Sequence, residues 1–195
     1  MEMWSAAALE DRLARDVQPA DKLVGDGRAA VAVLLRLDDT PSVLLMQRTV
    51  RDGDPWSGHV SFPGGRYQAG DGELLETAIR ETREELAVDL RASSRLVGAM
   101  PPIQAIGRGR VVPMTVTPFV FVEETPVEPV TGAEAEHVFW FPIADAAGGR
   151  FDGTFRYEHV EQKQTLDLPC WRYETYVVWG LTYRMLRDLI ATVTA

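Results

Sequence analysis

Strand-length apolar runs alternate with amphipathic helices along this chain, and the alternation predicts an α/β fold with helices layered on a sheet. Three segments carry the prediction. Ala29 to Leu37 is apolar almost throughout, as a central strand buried on both faces requires. A stretch from about Gly72 to Val88 repeats its apolar residues at helical spacing, and Trp179 to Val193 does the same, with Leu181, Met185, Leu186 and Leu189 on one face.

The remaining elements follow in order. Residues 4 to 17 read as an amphipathic helix with Leu9, Leu13 and Val17 on one side, and a connection containing proline and glycine runs on through Gly27. The chain is therefore expected to comprise an N-terminal helix and connection, 1–28, and a main domain, 29–195, in one globular unit. Ser42 to Arg48 is a second strand, joined to the first by the polar turn Asp38-Asp39-Thr40-Pro41. Leu96 to Met100, Val111 to Val122 and His137 to Phe141 read as further strands, Ile143 to Ala147 as a short helix, and Phe151 to Val160 as a strand by its aromatic content.

Composition excludes several function classes. With 195 residues, 46% of them hydrophobic and 25% charged, the chain can bury a full core. A net charge of −9 argues against nucleic-acid binding, which wants a basic face. No stretch approaches eighteen apolar residues, so no membrane span is expected. The start, MEMWSAAALEDRLARD, lacks a basic leader and an apolar core. The one cysteine, Cys170, cannot form an internal disulfide and reads as a packing residue. A cytoplasmic protein is expected.

The most informative stretch is Phe62 to Val88, FPGGRYQAGDGELLETAIRETREELAV. A Pro-Gly-Gly turn precedes a helix on which Glu81, Glu84 and Glu85 fall within about 100° of one another, while Leu75, Ile79, Thr82 and Leu86 lie on a different face. Carboxylates at i, i+3 and i+4 of a rigid helix converge on a small volume, which suits hard cations such as Mg²⁺ or Mn²⁺. The bland alternative is a solvated helix face on which Arg80 and Glu84 simply pair.

Together the turn and the helix resemble the Nudix hydrolase signature, G-x5-E-x7-R-E-U-x-E-E-x-G-U, where U is a bulky aliphatic residue. Gly65, Arg80, Glu81, Thr82, Glu84, Glu85, Ala87 and Val88 occupy its positions. The interval from Gly65 to Arg80 is one residue longer than the general pattern, so Asp71 stands in the first acidic position, with Glu73 as its rival. Thr82 replaces an aliphatic residue, and Ala87 replaces the glycine that commonly ends the helix in a left-handed conformation.

The extra residue is similar to a branch of the family that cleaves coenzyme A. Arg48 after an aliphatic strand, Val60-Ser61-Phe62-Pro63-Gly64-Gly65, Asp71, Thr77-Ala78-Ile79-Arg80-Glu81, Phe139-Trp140-Phe141-Pro142 and Trp179-Gly180-Leu181-Thr182 correspond to that branch's pattern. Its L-R-x-H-x-G-x-V segment is not matched. From Arg51 to Val60 this chain reads RDGDPWSGHV, with the glycine and histidine displaced and the basic pair missing.

The resemblance implies a mixed sheet in an α/β/α sandwich and hydrolysis of a nucleoside diphosphate derivative, coenzyme A or an acyl derivative first. Nucleotide sugars, ADP-ribose or damaged nucleoside triphosphates come behind. It implies Mg²⁺ or Mn²⁺ held by Glu81, Glu84, Glu85 and the Gly65 carbonyl. Arg80, Gly64 and Asp71 would be structural members of the motif. Glu134 is the expected distant carboxylate acting as base or ligand, with Glu136 as alternate. Arg48, Arg66, Arg108 and Arg110 are candidate phosphate contacts, and Arg51 could add local positive charge. His59 and His137 are kept out of the catalytic set, and Trp56, Tyr176 and Trp179 read as packing residues before stacking platforms. A homodimer is left open. The competing class is a nucleotide-sensing module that has lost the reaction, and the three intact glutamates favour the enzyme.

Overall fold

The computed structural model describes residues 4–13, 25–54, 56–107, 109–159 and 164–194; Val17 and Arg108 lie outside them. The predicted central strand is β1 (Gly27–Arg36). Ala29, Val33 and Leu35 enter one apolar cluster, while Ala30, Ala32 and Leu34 enter another on the opposite face. Burial on both faces is why this segment reads as a continuous apolar run.

One edge of β1 pairs in parallel with β7 (Arg110–Glu123), from Gly27↔Met114 to Leu35↔Val122. The other edge is divided. Leu35 and Arg36 pair with the start of β2 (Ser42–Arg48), whereas Ala29 to Val31 pair with β4 (Gly64–Arg66). β2 therefore diverges from β1, and the wedge between them is filled by β4 and by β3 (Val60–Ser61), which pairs with Met46 and Gln47. β8 (Ala135–Phe141) joins the outer edge of β2, and β5 (Ser94–Ala99) and β6 (Ile103–Gly107) pair with β7. The result is an eight-stranded mixed sheet.

Helices cover both faces. α2 (Leu74–Leu86) and α3 (Leu90–Ser93) bury Ala78, Leu86 and Leu90 against Ala30, Ala32, Leu44 and Met46, the small alanines letting α2 approach. On the other face α1 (Ala6–Arg12), α4 (Ile143–Ala147) and α5 (Gly180–Thr194) contribute Leu9, Ile143, Leu186 and Leu189. Each fully buried leucine stabilises the fold by about 2 kcal/mol. The predicted α/β/α sandwich is thus observed. A separate antiparallel sheet, in the order β11-β10-β9, is formed by β9 (Asp152–His159), β10 (Gln164–Tyr173) and β11 (Tyr176–Trp179). Trp171 anchors it, fully buried, with its indole N–H donating to Asp152 Oδ1 at 2.9 Å.

Several boundaries differ from the sequence reading. The first helix is shorter than 4–17 because Leu13 is already extended at φ −87° and ψ 137°; Ser5 caps its start by accepting from Ala8 N–H. Ile103 to Gly107, not among the expected strands, is strand β6 paired with β7. β10 and β11 were not among the expected strands; Pro169, a residue sheets admit mainly at edges, lies in β10 opposite Thr154, just before the stretch that pairs with β11. Trp179 ends β11 rather than opening the last helix, because Gly180 makes the turn at φ 62°.

The end of α2 is resolved on Ala87 itself, which adopts the left-handed conformation at φ 55° and ψ 23° with its N–H donating to the Arg83 carbonyl at 3.0 Å. Glycine occupies this conformation without the Cβ penalty. Ala87→Gly should therefore stabilise the fold by about 0.5 to 1 kcal/mol after the entropy glycine adds to the unfolded chain. Thermal unfolding checks it, with a rise in Tm of roughly 1 to 3 °C.

Candidate active site

The cleft opens at the fork between β1 and β2. Gly64 lies so tightly against β1 that a Cβ would stand 2.3 Å from the Ala30 carbonyl oxygen, and its φ of 152° also favours glycine. Gly65 faces the helix instead. A Cβ there would stand 2.5 Å from the Glu81 carboxylate. The two glycines thus let one strand fit between β1 and the acidic face of α2.

The three glutamates occupy different environments. Glu85 is only 3% exposed; its Oε2 accepts the Gly64 N–H at 2.8 Å, and its Oε1 lies 3.9 Å from Arg48 Nη1. Burial pushes its carboxyl up to about 8, the nearby charges of Glu81 and Glu134 adding to the shift and the Gly64 N–H and Arg48 opposing it. Glu81 is 15% exposed and is also raised by burial, while Glu84 is 59% exposed. Among the described residues, no three Asp, Glu, His or Cys side chains converge on one point as they stand.

Arg80 lies between the outer two glutamates, donating from Nη1 to Glu81 Oε1 at 2.9 Å and Glu84 Oε2 at 3.1 Å. Its other edge is held by Asp71, which accepts from Nε at 2.7 Å and Nη2 at 3.1 Å. Asp71 also accepts from Thr77 Oγ1 at 2.7 Å and from Gln68 N–H at 2.9 Å. The Arg80 guanidinium, foremost among these donors, holds the Asp71 carboxyl well below the usual range. Glu73, the rival, precedes α2 and makes no side-chain cap. Thr82 is fully buried, with its hydroxyl satisfied by the Ala78 carbonyl at 2.7 Å.

Glu134 borders the same cleft from the loop before β8 and pairs with Arg51 Nη1 at 3.0 Å. Glu136 sits exposed on β8. The cleft has a volume of about 950 Å³. Its lining includes the apolar and aromatic side chains of Trp56, Ile106, Leu166, Leu168 and Trp179. Arg48 and Arg66 line it, but the Arg48 guanidinium is engaged by Asp54 at 2.9 Å. Arg110 stands opposite Gly107 at the tip of the β6–β7 hairpin and is not among the described cleft-lining residues.

The NUDIX domain model matches residues 26–163. This chain belongs to the Nudix family. It is 32% identical over 175 residues to an uncharacterized Nudix hydrolase, NudL, of Salmonella dublin, covering 88% of this chain and 85% of the relative. An uncharacterized Schizosaccharomyces pombe protein is 37% identical over 114 residues, which is 56% of this chain but 34% of that protein, so the chain spans about a third of its length. Among solved structures, the Nudix hydrolase RenU of M. Smegmatis superposes with a TM-score of 0.54 at 16% identity, covering 89% of this chain and 96% of that one, which supports the fold. Membership makes the protein a hydrolase of phosphoric anhydrides, a class that generally uses divalent metal ions.

Within this Nudix site, some residues escaped the sequence reading. Tyr157, Leu166 and Leu168 reach the cleft from β9 and β10, and the i, i+2 spacing of Leu166 and Leu168 was the available signal. His59 lines the cleft with its ring 4.7 Å from that of Trp179, and burial lowers its pKa. His137 packs on Tyr176 at 6.3 Å, and Tyr176 is stacked on Phe139 at 3.8 Å. The Trp179-Gly180-Leu181-Thr182 segment is tied to the cleft strand by Thr182 Oγ1, which donates to the Val60 carbonyl at 2.9 Å.

Asp71→Asn should destabilise the protein by about 1 to 3 kcal/mol at pH 7, because it removes the carboxylate from the Nε edge of Arg80 and leaves only Glu81 and Glu84 at the other edge. The folded Asp71 pKa is depressed, so wild type keeps its full advantage above about pH 4, the unfolded-chain value, and loses it as the pH falls further. Urea unfolding of both proteins between pH 7 and 3 checks the sign.

Proposed function

We propose that this Nudix hydrolase cleaves the diphosphate linkage of a nucleoside diphosphate derivative, with coenzyme A or an acyl derivative as the first substrate. The observation that carries the reading is that Glu81, Glu84, Glu85 and Glu134 all line one cleft, together with the arginines Arg48 and Arg66 and apolar side chains such as Trp56 and Leu166. The four carboxylates are hard oxygen donors, the set that Mg²⁺ or Mn²⁺ prefers. Two features of the chain fit such an ion: the Glu81 and Glu85 carboxyls are raised by burial and crowding, and residue 65 has no Cβ to fill the space beside Glu81.

In this reading Glu81, Glu84, Glu85 and the Gly65 carbonyl would hold the ion, which when bound would stabilise diphosphate oxygens and activate water. The remaining work falls to side chains. Arg80, fixed by Asp71, orients Glu81 and Glu84. Glu134 takes the proton of the attacking water. Arg48 and Arg66, which line the cleft, bring positive charge to the diphosphate. Trp56, Leu166 and Trp179 give the rest of the substrate an apolar surface.

One observation favours a second substrate reading. Asp54 lines the cleft within the segment where the coenzyme A branch carries its basic pair, which suits a nucleotide sugar or ADP-ribose, with two phosphates, better than coenzyme A, with a third.

Glu84→Gln and Glu85→Gln should each lower metal-dependent turnover about 100-fold or more while the fold persists by circular dichroism. Near-normal rates in both would reject the metal-site assignment, and removing the ion with EDTA should abolish wild-type turnover. For substrate, coenzyme A with millimolar Mg²⁺ or Mn²⁺ should yield 3′,5′-ADP and phosphopantetheine. A flat time course on coenzyme A alongside turnover of ADP-ribose would select the second reading.

A further inference from the structure

The loop before β8 shows how Glu134 comes to face α2, and neither of the residues that hold it belongs to the Nudix motif. On one side the loop completes the C-terminus of α2. The last carbonyls of a helix have no partner within it, and here Val130 N–H donates to Leu86 O at 2.9 Å and Gly132 N–H donates to Glu85 O at 2.7 Å. The contact at Gly132 is close enough that a Cβ would stand 2.8 Å from the Glu84 carbonyl oxygen and 3.2 Å from that of Glu85. A backbone carbonyl within a helix cannot swing aside, so any side chain at 132 pushes the loop outward.

On the other side the loop is held by the extension of β2. Thr49 N–H donates to Glu134 O at 3.0 Å and Thr49 Oγ1 to Ala133 O at 3.1 Å. Arg51 makes a two-pronged contact, Nη2 donating to Ala133 O at 2.9 Å and Nη1 to Glu134 Oε1 at 3.0 Å. Arg51 thus fixes both the backbone and the carboxylate of the same turn.

We infer that Gly132 and Arg51 are positioning residues that set the distance of Glu134 from the glutamates of α2, an inference that rests on the reading of Glu134 as the fourth carboxylate. The helix that carries Glu81, Glu84 and Glu85 docks, through its own terminal carbonyls, the loop that carries Glu134. The acidic groups are therefore gauged against one another by backbone hydrogen bonds instead of by side-chain contacts alone. Neither Gly132 nor Arg51 need touch the substrate for this role.

The test is a double-mutant cycle on kcat with the metal-loaded enzyme and its best substrate, combining Gly132→Ala or Arg51→Ala with Glu134→Gln. Each positioning variant alone should lower kcat about 10- to 100-fold with KM changed less than about threefold, as a displacement near 1 Å does. In the Glu134→Gln background the same change should alter kcat by less than about twofold, because the group it positions is already disabled. Multiplicative losses in both backgrounds, or single variants with wild-type kcat, overturn the inference. Should Gly132→Ala fail to fold by thermal melt, the exposed Arg51→Ala decides the cycle. A Glu134→Gln enzyme with normal turnover rejects the role of Glu134 itself, whereas a slow one with multiplicative partners rejects only the positioning.

Discussion

Acidic side chains that repel one another are gathered at one partly dehydrated cleft, and much of the surrounding structure can be understood as holding them there. The guanidinium of Arg80 separates Glu81 from Glu84 while Asp71 fixes its far edge. A backbone N–H from Gly64 and the more distant Arg48 share the charge of Glu85, the most buried of the set. Arg51 does the same for Glu134. Each arginine is itself held by a second group, Arg48 by Asp54, Arg80 by Asp71 and Arg51 by the Ala133 carbonyl, so the balance is a network and not a row of pairs.

The backbone makes the network possible. Because β1 pairs along one edge with β2 only at Leu35 and Arg36 and with β4 at Ala29 to Val31, the sheet forks, and the glycine strand enters the fork within reach of α2. Two glycines are needed there for opposite reasons: Gly64 must press on β1, and Gly65 must leave room for Glu81. A sheet with β1 and β2 paired along their whole length would have no such entry.

How far this was legible in the sequence depended on range. The periodicity of α2, the double-faced burial of β1 and the shared place of Glu81, Glu84 and Glu85 along the cleft are local and were readable. Asp71 was placed by the family resemblance, and its partners Arg80 and Thr77 lie within nine residues. The pairing of Arg51 with Glu134 spans 83 positions and could not be read from local spacing. β10 was hidden by Pro169, and β11 by its direct continuation into a helix through Gly180. Ala87 shows the limit of residue preference, since a helix end docked by residues 130–132 adopts the left-handed turn on an alanine.

Part of the cleft lining, Tyr157, Leu166, Leu168 and Trp179, comes from β9, β10 and β11, and among the described residues these strands pair only with one another. Residues such as Tyr157, Leu166 and Leu168 can thus be exchanged without disturbing a hydrogen-bond ladder that positions a glutamate. Under the proposed function, ligand preference and bond-breaking machinery are then separable modules. A lineage could retune the first by drift in a small accessory sheet while the second stayed locked in the main one.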